Sequence, residues 1–212
     1  TFYYMRLDDN HRPLQVYRHT LGTSVEQDEL IYEEKDNGFY AHLGETQSGD
    51  FILLDVSDHE SSDSYLLDAH DPKAQPQLIA PRRERREYSV EHHGDQLYIL
   101  TNADGAEDFK VCTAPVSQPA EENWKELIPH APGTLVLSMV MLKNHMVRLE
   151  RSRSLPRIVI RRLSDNAEHE ISFEESAYGL GMSAGYEFDT STIRFTYSSM
   201  TTPSQEFDYD ME

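Results

Sequence analysis

The sequence predicts an all-β fold, a partial β-propeller made of four-stranded antiparallel blades. Two observations predict it. Pairs of short β-rich runs recur about every 47 residues, and the two runs of each pair begin about 12 residues apart. In addition, no stretch of the 212 residues combines a helical hydrophobic period with capping residues. Repeats of four short strands are typical of propeller blades, whereas the alternative, a β-sandwich, requires no fixed period.

The central hairpin of each repeat gives the period. Its two strands are joined by a connection rich in Asp, Asn, Ser, Gly and Pro, which are residues that favour tight turns. The five predicted hairpins pair 2–6 with 14–19, 51–55 with 64–69, 97–101 with 109–114, 146–150 with 157–162, and 193–197 with 205–210.

A first strand and a fourth strand flank these hairpins. The predicted first strands are GFYAHLG (38–44), EYSVEH (87–92), LVLSMVM (135–141) and YGLGMSA (178–184). The predicted fourth strands are ELIYE (29–33), PQLIA (76–80), WKELI (124–128) and EHEISF (168–173).

These strands divide residues 1–212 into about 4.4 repeats of a single partial propeller domain. The predicted units are a partial blade at 1–36, blades at 38–81, 86–130 and 134–173, and a partial blade at 178–212. The two incomplete units supply six strands where one blade needs four, so we expect a chain cut from a larger ring. Open rings expose strand edges, which favours edge-paired self-association.

The composition narrows the possible functions. Asp plus Glu number 38 against 19 Lys plus Arg, a formal charge of −19, which argues against nucleic-acid binding and is consistent with attraction of basic peptides. The single Cys112 excludes an intrachain disulfide. No apolar run reaches the length of a membrane span, and the start TFYYMRLDD resembles no signal peptide. We therefore expect a cytoplasmic protein that does not contact membranes.

Several long segments resemble the propeller of the oligopeptidase B (protease II) group of the prolyl oligopeptidase family. They are YYMRLDDNHRPLQVYRHTLGT, LIYEEKDNGFY (30–40), TNADGAEDFKVCTAP, LPRIVIR (155–161) and FTYSSMTTPSQEFDYDME. The resemblance spans essentially the whole chain and implies the later part of that propeller.

The resemblance also implies a function. It points to a serine peptidase that cleaves short peptides after Arg or Lys, in which the propeller gates and selects basic oligopeptide substrates. The catalytic Ser, Asp and His would lie in an α/β-hydrolase domain of the same polypeptide, a domain that these residues do not include. We therefore expect this chain alone to be inactive. The alternative is a stand-alone propeller module for protein interaction.

A further alternative is an autonomous serine hydrolase that uses Ser183. Residues 181–185 read Gly-Met-Ser-Ala-Gly and match the G-x-S-x-G nucleophile pattern. That motif requires a helix after the serine, whereas a predicted strand follows here. We interpret the match as fortuitous and predict no catalytic residue in this chain.

Other candidate site residues have structural interpretations. His92 and His93 are adjacent on a predicted strand and point to opposite faces, so they do not form a metal site. No motif for a metal or another cofactor is present, and we expect none. Trp124 and Cys112 are expected in the core. The basic cluster Arg82, Arg83, Arg85 and Arg86 is interpreted as a solvated connection paired with surface carboxylates, the alternative being a contact for an anion or a partner.

The first strand of a propeller blade lies nearest the central channel. Candidate channel-lining residues are Tyr40, His42, Glu87, Ser89, Glu91 and Ser138, of which about half must face neighbouring blades because side chains alternate. Glu87 and Glu91 share one face of their strand. These two carboxylates are candidates for contact with a cationic peptide, the alternative being structural or solvent-exposed roles.

Overall fold

Five antiparallel sheets form the molecule, and each sheet is one propeller blade. The computed structural model describes residues 1–212 and contains 18 β-strands. Its only helical elements are three-residue 3-10 turns, and none of them has the length or apolar character that crossing a bilayer requires. The predicted all-β architecture of four-stranded antiparallel blades is confirmed.

The first three blades contain eleven strands. Blade 1 has three strands, and blades 2 and 3 have four each, paired in chain order. They are β1 (Phe2–Leu7), β2 (Pro13–His19) and β3 (Glu29–Glu33) in blade 1, β4 (Tyr40–Glu45), β5 (Phe51–Ser57), β6 (Ser62–Asp68) and β7 (Gln77–Ala80) in blade 2, and β8 (Tyr88–His93), β9 (Gln96–Thr101), β10 (Lys110–Pro115) and β11 (Lys125–Ile128) in blade 3.

The last two blades contain seven strands with the same order of pairing. They are β12 (Thr134–Met141), β13 (His145–Ser152), β14 (Leu155–Arg162) and β15 (Glu168–Glu170) in blade 4, and β16 (Tyr178–Ser183), β17 (Thr192–Ser199) and β18 (Gln205–Asp210) in blade 5.

A separate hydrophobic core fills each seam between neighbouring blades. Because side chains alternate along a strand, every inner sheet contributes to the core on each of its two sides. Representative buried pairs are Val16 and Leu54 between blades 1 and 2, Leu66 and Ile99 between blades 2 and 3, Leu100 and Met146 between blades 3 and 4, and Ile160 and Phe195 between blades 4 and 5.

One fourth strand is shorter than the sequence predicts. β15 ends at Glu170, although the backbone nitrogen of Ile171 still donates to Ile158 O at 3.1 Å. The chain then leaves the sheet, and the ring of Phe173 packs 5.0 Å from that of Tyr178 in blade 5. Packing in the next seam therefore ends this strand early.

The first strands β4, β8, β12 and β16 each form one edge of their sheet. In a propeller this edge faces the central channel. The turns that connect each first strand to the second strand therefore surround one mouth of the channel.

Candidate functional site

Two carboxyl groups occupy the channel side of blades 2 and 3. Asp55 lies on β5 directly opposite His42 of β4, and its Oδ1 accepts a hydrogen bond of 2.5 Å from Ser64 Oγ. Glu91 lies on β8, and its Oε2 accepts a hydrogen bond of 3.1 Å from the backbone nitrogen of Gln47. The carboxyl groups are both half-buried.

Burial changes the protonation of both groups. Desolvation, together with the nearby Asp55 carboxylate, raises the pKa of Glu91 to about 7 against the opposing hydrogen bond from Gln47. Burial also raises the pKa of Asp55, against the hydrogen bond from Ser64 and the influence of His42. These carboxyl groups are therefore held in surroundings that disfavour their negative charge.

Two buried glutamates elsewhere in the chain, Glu34 and Glu150, have arginine partners. Glu34 lies 2.5 Å from Arg82, and Glu150 lies 2.8 Å from Arg148. Asp55 and Glu91 have no lysine or arginine within salt-bridge distance, and none influences their pKa values. Since an unpaired carboxylate is stabilised by a cation that approaches it, these two positions suit a positively charged ligand.

A cavity of about 460 Å³ opens beside Asp55 where blades 2, 3 and 4 meet. Its volume is in the range of sites that hold small ligands. The polar side chains at its wall include Asp55, Ser57, Asp58, Ser62, Glu87 and Ser89. The structure thus places Glu87 with Asp55 around one cavity, whereas Glu91 is not among the lining residues and contacts the turn at Gln47.

The other predicted channel residues differ in exposure. Tyr40 and His42 on β4 and Ser89 on β8 are exposed. Ser138 is half-buried because the register of β12 shifts between Val136 and Ser138, which leaves Leu137 exposed. This β-bulge interrupts the alternation that the sequence pattern assumes.

Ser183 is the last residue of β16, where it pairs with Arg194 of β17. The element that follows Ser183 is β17, and no helix lies between them. A nucleophile elbow requires a strand, a tight turn and then a helix. The geometry that exposes a catalytic serine in such enzymes is therefore missing at this position.

The two adjacent histidines have separate structural partners. His92 Nε2 donates to Gly94 O at 2.7 Å, so its Nδ1 accepts the hydrogen bond from Ser48 Oγ at 2.8 Å. His93 Nε2 donates to Lys143 O at 2.8 Å. His92 thus connects blade 3 to blade 2, and His93 connects it to blade 4.

The basic cluster is paired with carboxylates, but two of these, Glu34 and Asp63, are buried. Arg82 bridges Glu34 and Asp63, both buried, and its guanidinium stacks 3.6 Å from the ring centre of Phe39. Arg86 is itself buried against Glu121, at 2.6 Å. The expectation of surface carboxylates is wrong for Arg82, whose partners Glu34 and Asp63 are buried, whereas Glu121 is half-buried.

Trp124 and Cys112 both lie in the seam between blades 2 and 3. The Trp124 ring meets that of Tyr88 edge-on at 5.4 Å. Cys112 on β10 is buried, and burial raises the pKa of its thiol, which makes it a poor nucleophile.

Comparison with known families assigns the fold. Residues 1–212 match the family model described as the prolyl oligopeptidase N-terminal beta-propeller domain. The chain belongs to the prolyl oligopeptidase family. It is 34% identical over 194 residues to dipeptidyl aminopeptidase BI of Pseudoxanthomonas mexicana, covering 92% of this chain and 27% of that protein. It is 30% identical over 210 residues to Protease 2 of Moraxella lacunata, covering 99% of this chain and 30% of that protein.

Solved structures agree with this assignment. Oligopeptidase B from Leishmania major superposes with a TM-score of 0.91 at 26% identity, over 99% of this chain and 31% of that one. Oligopeptidase B from Trypanosoma brucei, in a closed form with covalently bound antipain, gives a TM-score of 0.91 at 29% identity, over 99% and 31%. The chain therefore spans about three tenths of the length of the family members it matches.

Sequence reasoning misses Asp55. It lies on a second strand, whereas the sequence suggests first strands as the wall of the channel. A polar residue inside the apolar run FILLDVS is the only signal that sets this position apart.

Proposed function

We propose that this propeller is the gating and substrate-selecting part of an oligopeptidase B-like serine peptidase that cleaves short peptides after Arg or Lys. The similarity to Protease 2 and to two oligopeptidases B supports this proposal. The catalytic Ser, Asp and His would belong to an α/β-hydrolase domain outside these 212 residues. The propeller itself contributes selection and no bond cleavage.

The pair of carboxyl groups without basic partners, Asp55 and Glu91, is the observation that carries the preference for basic peptides. A guanidinium or ammonium group near them would supply the counter-charge that Arg82 and Arg148 supply to other buried carboxylates. The formal charge of −19 adds a long-range attraction that raises the local concentration of cationic peptides.

Because the pKa of Glu91 is raised, binding of a cationic peptide should be coupled to the protonation of this carboxyl group. A cation that approaches Glu91 favours the ionised form, so binding near pH 7 is coupled to proton release from this carboxyl group. The central channel, which the blades surround, would admit extended peptides and exclude folded proteins, which are wider. Selection by charge and by width would thus precede any chemistry.

The test uses the full-length peptidase, the variants Asp55→Asn and Glu91→Gln, and a dibasic and a monobasic fluorogenic peptide. At low salt we expect kcat/KM for the dibasic peptide to fall by about 3- to 10-fold, because electrostatic steering is lost. The monobasic peptide should change less, and the difference should disappear at high salt because ions screen the interaction. Asp208→Asn, which removes an exposed charge on the outer strand β18, is the matched control.

An unchanged kcat/KM for both peptides at low salt contradicts the role of these carboxyl groups. A wild-type enzyme that cleaves after neutral residues as fast as after Arg contradicts the proposed substrate class.

A further inference from the structure

We call the turns between the first and second strands of each blade the inner turns. Hydrogen bonds at these turns connect blade 2 to blade 3 and blade 3 to blade 4 at one mouth of the channel. In blade 2, Ser48 Oγ donates to His92 of blade 3 at 2.8 Å. In blade 3, His93 donates to the backbone oxygen of Lys143 in blade 4 at 2.8 Å. Each of these contacts joins neighbouring blades, as the order of blades around a ring requires.

The inner turn of blade 5 is much longer than the others. It runs over residues 184–191, between β16 and β17, whereas only two residues separate β8 from β9. We name residues 184–191 the strap. Ala184, at its start, packs against the core between blades 4 and 5, whereas Tyr186 is fully exposed, so the strap leaves this core within two residues.

The strap is held on blade 4 by two contacts to one residue. The backbone nitrogen of Lys143 donates to Phe188 O at 3.0 Å, and Lys143 Nζ donates to Asp189 Oδ2 at 2.7 Å. These contacts fix the middle of the strap above the inner turn of the neighbouring blade.

The strap also reaches two blades that are not its neighbours. The ring of Phe188 lies 5.8 Å from that of His93 in blade 3. Farther along, Gln47 Nε2 of blade 2 donates to Gly185 O at 3.4 Å. Blades 3 and 4 lie between blades 2 and 5 along the ring. A segment of blade 5 that touches blades 4, 3 and 2 must cross the mouth of the channel that they surround.

We propose that the strap partly covers this mouth and limits the width of the peptides that pass through it. This inference rests on the proposed gating function and identifies the segment that performs it. The ligand is an extended peptide, and bulky or folded chains are excluded by the strap.

The contacts that hold the strap are weak enough for it to open. Lys143 and Asp189 are 53% and 70% exposed, and exposed ion pairs contribute little stability. The contact to Gln47 is a single hydrogen bond of 3.4 Å, longer than is typical for an N–H···O bond and therefore weak. A segment held by few and exposed contacts opens at a low free energy compared with the core strands.

The experiment measures size selection in the full-length peptidase. The double variant Lys143→Ala/Phe188→Gly removes the side chains that hold the strap and leaves the channel carboxyl groups unchanged. Substrates are an Arg-amide and quenched peptides of about 10 and about 30 residues that contain one Arg. The control variant Arg194→Ala removes an ion pair of the same length, 2.7 Å, with 55% and 51% exposed partners on β17 and β18 of blade 5.

We expect the double variant to raise kcat/KM for the longest peptide several-fold, with less than a twofold change for the Arg-amide and no change in the control. A double variant with the same size profile as the wild type overturns the role of the strap. An equal loss for all substrates also overturns it, since this marks a purely structural segment. A wild-type enzyme with no dependence on peptide length contradicts the proposed gating function itself, so the two failures are distinguishable.

Discussion

The hydroxyl oxygen of Tyr88 lies 2.7 Å from the backbone nitrogen of Ser64, a residue of the neighbouring blade. The same oxygen accepts from the nitrogen of Ala80 at 3.2 Å and donates to the oxygen of Ala80 at 2.8 Å. Ser64 and Ala80 are partners in the β6–β7 pair, at a point where the register shifts. Tyr88 therefore satisfies the backbone groups that this irregularity separates, and so connects blade 3 to blade 2.

Removing this hydroxyl group should destabilise the seam. Tyr88→Phe keeps the ring but leaves buried backbone groups of Ser64 and Ala80 without a partner, at an expected cost of about 1–3 kcal/mol. The measurement is denaturant unfolding of the full-length protein. Tyr186→Phe, at a fully exposed position, is the control and should not change stability. Equal stability of the two variants would show that the hydroxyl group has no structural role.

The protonation of Glu91 should make stability depend on pH. The pKa of Glu91 is about 7 in the folded protein, compared with 4.5 for an ordinary glutamate. Because the folded protein retains the proton between these values, the stability contributed by this group is present below pH 4.5 and is lost as pH rises to about 7. The loss is of the order of 3 kcal/mol.

Glu91→Gln should remove this dependence, since its amide cannot ionise. The variant should be more stable than the wild type at pH 8 and similar to it at pH 4.5, as measured by unfolding at both pH values. Asp8→Asn is a useful comparison, because the stability that Asp8 contributes should change with pH in the opposite direction. Arg12 lowers the pKa of Asp8 to about 2. The stability that Asp8 contributes is present above pH 3.8 and is lost as pH falls towards 2. Parallel pH profiles of wild type and Glu91→Gln would contradict the prediction.

The charged network of blade 4 should be sensitive to loss of its central carboxylate. Glu150 is 3% exposed and contacts Arg148 at 2.8 Å and Arg157 at 2.7 Å. Glu150→Gln removes the charge that two guanidinium groups share, while Arg148 keeps Glu168 and Arg157 keeps Glu170, and we expect a loss of about 2 kcal/mol. Arg194→Ala breaks an exposed pair and should have no measurable effect. Thermal unfolding of both variants distinguishes these outcomes, and equal melting temperatures would refute the prediction.

Ser183→Ala should leave catalysis unchanged. No helix follows this serine, so nothing in the fold activates its hydroxyl group as a nucleophile elbow does. The measurement is labelling of the full-length enzyme by a fluorophosphonate, together with hydrolysis of an Arg-amide. Loss of labelling in the variant would assign the nucleophile to this chain and invalidate the interpretation of the motif.

The strands and their pairing are largely predictable from the sequence. Each strand is local, and the repeat fixes which neighbours pair, so the predicted hairpin of 51–55 with 64–69 appears as β5 with β6. Local irregularities are less predictable. The bulge at Leu137 and the early end of β15 at Glu170 depend on packing in the seams, which no single segment encodes.

The site is less predictable than the fold for the same reason. The sequence identifies Glu91 as a channel residue, because it lies on a first strand. It does not bring Asp55 close to Glu91, and it gives no sign that Glu34 and Asp63 form buried pairs with Arg82. Such contacts join residues of different blades, and their chemistry appears only when the blades are placed side by side.

The contact between Gln47 and Gly185 also has a consequence for folding. Its partners are 138 residues apart, whereas the hydrogen bond from Ser48 to His92 spans 44 residues. Contacts of high sequence separation form late, because the entropy of closing the intervening loop must first be offset by local structure. The four blades must therefore assemble before the strap reaches its seat. The contacts of the strap would therefore form only after this part of the ring has folded. The amide groups of the strap would be the last to become protected from hydrogen exchange.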